Sequence, residues 1–112
     1  MRFGIATLAV AGALVLLAGI SHADPYEDAV PMLEQAGGSG PVEAFLKFYG
    51  PAEMPKAFAV SKDGAFGGRW KSSSNMEKMR KDALKSCKKK KNYNKANPCV
   101  IFMENEKVVW TP

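Results

Sequence analysis

The stretch Lys56-Ala57-Phe58-Ala59-Val60-Ser61-Lys62-Asp63-Gly64-Ala65-Phe66-Gly67-Gly68-Arg69-Trp70 decides the fold. Its first part, Ala57 to Ser61, is an apolar, strand-like run. Lys62-Asp63-Gly64 carries the Asp-Gly signal of a tight hairpin turn. Ala65 to Trp70 is then the return strand, and its glycines point to a bulge or a close backbone contact. Beyond it, Ser74-Asn75-Met76-Glu77 matches a capping box, in which the Ser74 hydroxyl and the Glu77 carboxylate satisfy orphan amides. Met76, Met79, Ala83, Leu84 and Cys87 follow at helical spacing, with Lys78, Arg80, Lys81, Asp82 and Lys85 on the other faces. Four lysines, Lys88 to Lys91, close the helix and suit the negative end of its dipole. Asn92 to Pro98 is a polar loop. Cys99-Val100-Ile101-Phe102-Met103 is an apolar strand, Asn105 falls in a turn, and Val108-Val109-Trp110 is the last strand. The order predicts an α+β fold. Residues 56–112 form a small ββαββ domain, its antiparallel sheet packed on one helix.

Upstream, residues 24–55 read as an acidic helical preface and linker. Tyr26, Ala29, Val30, Leu33 and Ala36 share a helical stripe, although Pro31 counts against an unbroken helix outside a first turn. Gly37-Gly38-Ser39-Gly40 is a break. Pro41 suits the first turn of a second short helix, with Val42, Phe45, Leu46 and Tyr49 on one side. Gly50-Pro51 stops it, and Pro51 to Pro55 reads as a linker.

Residues 1–23 read as a cleavable signal peptide. Arg2 supplies a positive charge, Ile5 to Ile20 is an uncharged apolar run, and Ser21-His22-Ala23 places small residues where a peptidase needs them. The run is shorter than the ~20 residues that span a bilayer, so cleavage before Asp24 is expected rather than anchoring. Ile20 stands where acylation would need a cysteine. The expectation is a periplasmic or secreted protein that does not span the membrane after cleavage.

Such a chain is one small domain with a marginal core, of the size that often needs a staple. Cys87 and Cys99 are the only cysteines, and in an oxidising compartment two cysteines usually pair. An intramolecular bridge would contribute about 3 kcal/mol by restricting the unfolded chain. Two free buried thiols or an intermolecular bridge are the alternatives. His22 is the only histidine and leaves with the signal, so a zinc site lacks its usual ligands, and no metal or cofactor is expected.

The strand-turn Lys56-Ala57-Phe58-Ala59-Val60-Ser61-x-Asp63-Gly64, then Gly68-x-Trp70, Ala83-Leu84-x-x-Cys87 and Cys99-Val100-Ile101-Phe102 together resemble a small uncharacterised domain of exported proteobacterial proteins, grouped under the DUF4189 label. The resemblance covers about half the chain and implies a domain that stands alone after a signal peptide or is joined to larger exported proteins. It implies no activity. Some relatives carry a label for 5-aminolevulinate synthase, but a chain this short cannot build a pyridoxal-phosphate enzyme.

The residues offer little for catalysis, and no enzyme is expected. Ser61 has no histidine to serve as its base. Asp63 before Gly64 is explained by turn chemistry, although Glu53 or Asp82 would be acid/base partners for it. Gly64, Gly67 and Gly68 lack the Gly-Lys-Ser/Thr ending of a phosphate loop. Met76 and Met79 read as core, and Trp70 and Trp110 as sheet residues or a stacking surface.

Charge is the stronger signal. From Asp24 to Ser61 acids dominate, and from Lys62 onward the balance reverses, within a chain of net charge +5. The candidate anion-binding residues are Arg80, Lys81, Lys85, Lys88, Lys89, Lys90, Lys91 and Lys95. A solvated helix end is the plain alternative. The expected partner is an anionic polymer of the envelope, lipid head groups, or nucleic acid taken up without reading sequence. The expected function is an exported non-enzymatic binding or accessory module. An interaction or inhibitor protein that docks on another exported protein is the other reading.

Overall fold

The computed structural model describes residues 24–112. The expected signal peptide, residues 1–23, lies outside them. The elements run α1 (Pro25–Gly37), α2 (Val42–Ala44) continuing into a wider turn (Phe45–Tyr49), β1 (Lys56–Val60), β2 (Phe66–Trp70), α3 (Met76–Lys88), β3 (Val100–Glu104) and β4 (Lys107–Val108). The strands form one antiparallel sheet in the order β2-β1-β3-β4. The α+β class and the ββαββ order are as the sequence predicts.

β1 is central, and all five of its residues are buried. Pairs Val60↔Phe66 to Lys56↔Trp70 set the hairpin register. The turn closes as expected: the Ser61 N–H donates to the Ala65 carbonyl at 2.9 Å, and Gly64 takes φ +87°, which favours glycine. The Ser61 hydroxyl oxygen accepts from the Ala65 N–H at 3.2 Å, so the buried Ser61 serves the turn. Of the two readings of the β2 glycines, the close contact holds, at Gly67 against α3, while the register shift of the sheet lies in the β1–β3 pairing, between Phe58 and Ala59. β4 is shorter than expected. The Val109 and Trp110 N–H groups both turn back to the Phe102 carbonyl, at 2.9 and 3.2 Å, which takes them out of the ladder.

The sheet is covered on both faces, where one helix was expected. Successive β1 residues point to opposite sides. Phe58 and Val60 join Phe102, Met103, Leu33, Phe45 and Tyr49 in one cluster. Ala57 and Ala59 join Met79, Ala83, Cys87 and Cys99 in the other. The acidic preface is therefore the second layer of one fold, and the expected boundary at residue 55 is not a boundary in the packing. α1 passes unbroken through Pro31, contrary to expectation. Ala29, Leu33 and Ala36 bury its inner stripe, and that burial offsets the ~3 kcal/mol cost of an interior proline. Pro41 caps α2 rather than sitting in its first turn. The Gly50 N–H reaches the Phe45 carbonyl at 2.9 Å, a wide turn that leaves the Phe45 and Tyr49 rings stacked 5.5 Å apart.

Pro51 to Pro55 is not a slack linker, because Lys56 ties it down. Lys56 is 1% exposed, and its ammonium donates to the carbonyls of Tyr49, Gly50 and Ala52 at 2.8, 3.0 and 2.8 Å. It also sits 4.3 Å from the Tyr26 ring centre. The Gly50 and Ala52 carbonyls are free acceptors beyond the wide turn, and the Tyr49 carbonyl, which also accepts from the Ala52 N–H at 3.1 Å, takes a second donor, so the buried cation is bonded by carbonyls rather than a carboxylate. Burial still lowers the Lys56 pKa from the ordinary lysine value. The Tyr49 hydroxyl donates toward Asn105 and Lys56 carbonyls at 2.9 and 3.2 Å, and burial raises its pKa well above the usual phenol value.

Candidate functional site

α3 carries most of the candidate residues, and its placement follows from a few local causes. Its cap is Asn75, not Ser74. The Asn75 side-chain oxygen accepts from the Glu77 and Lys78 N–H groups at 2.9 and 3.4 Å, while the Ser73 hydroxyl oxygen accepts from the Asn75 N–H. The asparagine reaches both amides one residue closer to the helix, which leaves Ser74 no cap to make. Met79, Ala83 and Cys87 are buried against the sheet. Close approach is set by Gly67, where an added Cβ would lie 2.7 Å from the Ser86 Cβ and 2.8 Å from the Ala83 carbonyl oxygen. Cys87 and Cys99 are bridged within the chain, with Cα atoms 6.3 Å apart, so the end of α3 is fixed to the start of β3.

The face opposite this packing is basic. At about 100° per residue, Lys78, Lys81, Lys85, Lys88 and Lys89 fall within an arc of roughly 100°. Lys81, Lys85, Lys88 and Lys89 are exposed. Asp82 lies at the edge of this arc, 3.5 Å from both Lys78 and Arg69. Arg69, Lys78, Lys85, Ser86 and Lys89 line a hollow of about 360 Å³ around Asp82. Lys78 and Arg69 belong to this face and were not among the residues the sequence nominated. Lys78 was legible from the helical period. Arg69 was not, because only the sheet brings β2 beside α3.

The remaining candidates separate. Arg80 points away from the stripe, and one of its guanidinium nitrogens donates to both Glu104 carboxylate oxygens at 3.1 Å. Lys90 is not a solvated helix end. Its ammonium donates to the Phe66 carbonyl at 2.6 Å and lies 4.2 Å from the Phe66 ring centre, and partial burial lowers its pKa. Lys91 and Lys95 are exposed in the loop after the helix. That loop is tied to the hairpin turn: Asn92 donates to the Asp63 carbonyl at 3.0 Å, and Asn97 donates to the Asp63 carboxylate at 3.1 Å. Asp63 thus holds a turn and a loop together. Among the described residues no helix is long and apolar enough to cross a membrane. The chain matches no protein-family model, no curated protein and no solved structure.

Proposed function

We propose that the protein is an exported, non-enzymatic module that adsorbs to phosphate-rich anionic surfaces through the lysine stripe of α3. The observation that carries this reading is the gathering of Lys78, Lys81, Lys85, Lys88 and Lys89 on the face of α3 turned away from the sheet, where all five side chains are exposed. α3 needs none of these side chains for its core, which is supplied by Met79, Ala83 and Cys87. A cluster of like charges on one solvated face carries a repulsive cost, and an anionic surface relieves it. The shared ligand chemistry is repeated phosphate, presented either by lipid head groups or by a free polymer.

The test compares wild type with a Lys81→Gln/Lys85→Gln/Lys88→Gln/Lys89→Gln variant, keeping Lys90 because it braces β2. Each exposed charge contributes on the order of 1 kcal/mol near an anionic surface, so four should weaken binding by more than about a hundredfold. Added salt should weaken the wild type too, because screening acts over about 8 Å at physiological ionic strength. Phosphatidylglycerol vesicles and soluble polyphosphate separate the two sources, with phosphatidylcholine vesicles as the uncharged control. Equal adsorption by wild type and variant overturns the reading.

A further inference from the structure

We propose that the free edge of β2 is a docking site for an extended segment of a partner protein, alternating apolar and acidic side chains, which joins the sheet as a fifth strand. Among the described residues β2 is the outermost strand on its side. The Ser61 N–H bonds the Ala65 carbonyl and the Lys71 N–H bonds the Pro55 carbonyl. Antiparallel bonding alternates, so residues 65, 67, 69 and 71 face β1. The N–H and C=O groups of Phe66, Gly68 and Trp70 therefore point away from the sheet. Lys90 takes the Phe66 carbonyl and closes that end. Gly68 and Trp70 are left as an unused template of main-chain donors and acceptors.

The two walls above this edge differ in chemistry. Residues paired across a ladder share a face, so Phe66, Gly68 and Trp70 lie on the α1 and α2 side with Val60 and Phe58. On that side Phe48 is 56% exposed and Trp70 39% exposed. Both line a hollow of about 200 Å³ that continues over Gly67 and Gly68 to Ser86 and Lys90. On the α3 side the neighbours are Arg69, Lys78, Lys85 and Lys89 around Ser86 and Asp82, and since Asp82 pairs with Arg69 and Lys78, Lys85 and Lys89 are the cations left to meet an acidic side chain. A strand turns successive side chains to opposite faces. An added strand thus sets one series on Phe48 and Trp70 and the other beside the lysines, which selects apolar and acidic residues in alternation. A second copy of this chain is a poorer occupant, since its own β2 would bring Arg69 and the lysines beside their like.

The pairing rule fixes which amides bond. A partner residue directly opposite Gly68 shares its face, so the apolar residues are the ones whose N–H and C=O face β2. The probe is a labelled peptide alternating Val and Glu, read by fluorescence anisotropy against the full mature chain. N-methylation of the Val amides should weaken binding about tenfold or more, whereas N-methylation of the Glu amides should leave it nearly unchanged. Phe48→Ser should weaken binding without changing the melting temperature, because Phe48 is exposed. The proposal is overturned if the parent peptide does not bind, if both methylation patterns act equally, or if Phe48→Ser binds like wild type. It does not rest on the lysine stripe as an anion site: Lys81→Gln/Lys88→Gln, which line neither hollow, should keep peptide binding while reducing vesicle adsorption.

Discussion

Under α1 and α2 the sheet carries large rings. Under α3 it carries methyl groups, a glycine and a disulfide. On the first face Tyr26, Phe45, Tyr49, Phe58 and Phe102 meet edge-on, tilted or stacked, with ring centres 5.2 to 6.1 Å apart. On the second, Ala57, Ala59, Ala65 and Ala83 leave room only for a helix drawn close, and Cys87–Cys99 secures it. A thick aromatic layer is held by buried area, which scales with side-chain size. A thin layer of alanines buries less and gains more from a covalent restraint on the unfolded chain. The same small domain uses both solutions, one on each side of β1.

The comparison breaks most severely if the aromatic layer is removed. A chain beginning at Pro51 loses α1 and α2 and exposes Phe58, Val60, Phe102 and Met103. It should fail to give a cooperative unfolding transition by circular dichroism, and a folded fragment would show that the α3 face suffices. Phe45→Ala in the full chain should cost about 3–5 kcal/mol, read from denaturant midpoints. On the thin face, Cys87→Ala/Cys99→Ala should cost about 3 kcal/mol and leave a native-like spectrum at low temperature. A smaller loss would mean that packing alone holds α3. Gly67→Ala should cost about 1–3 kcal/mol, since the added methyl meets backbone and the helix must back away. At Gly68, on the aromatic face, an added methyl first meets the Trp70 and Phe58 side chains, so no shift at Gly67 would erase the contrast in layer thickness.

The smallest effect concerns pH. Burial raises the Tyr49 pKa, so the folded state keeps a proton that unfolded tyrosine releases near pH 10. Above that pH the folded state binds more protons, and stability falls as pH rises. Lys56 has the opposite sign. Its lowered pKa means the unfolded chain binds more protons below about pH 10.4, so stability rises as pH climbs through that window. The combined contribution of these two groups peaks near pH 10. Each group can supply at most about 1.4 kcal/mol per pH unit. Tyr49→Phe should flatten the fall above the maximum in urea midpoints taken from pH 8 to 11.5, and an unchanged fall would remove Tyr49 from the account.

Two predicted elements show where local reading stops. The helical stripe of α3 names Met79, Ala83 and Cys87 as its inner face, and they are. The same stripe includes Lys90 only as the end of a charged run, because the period says nothing of the chain beyond the last turn. Lys90 becomes a brace for β2 once the sheet brings Phe66 within reach of its ammonium. Lys56 is a parallel case. Nothing in the local pattern marks Lys56 as buried, yet it is almost fully buried among three carbonyls of the preceding turn and loop.

While the bridge within one chain is a finding of the structure, the sequence by itself determined the antiparallel β-hairpin, the amphipathic α3, the two cysteines available to pair and the basic character of the second half. These follow from period, turn chemistry and composition, all of which act over a few residues. The tertiary structure alone decided that the acidic preface closes the second face of the sheet rather than leading up to it. It also split the nominated cations into an open stripe, a carboxylate-paired Arg80 and a structural Lys90. The reason is physical: which side chain a charge meets depends on contacts between residues far apart in the chain, and no local period encodes that distance.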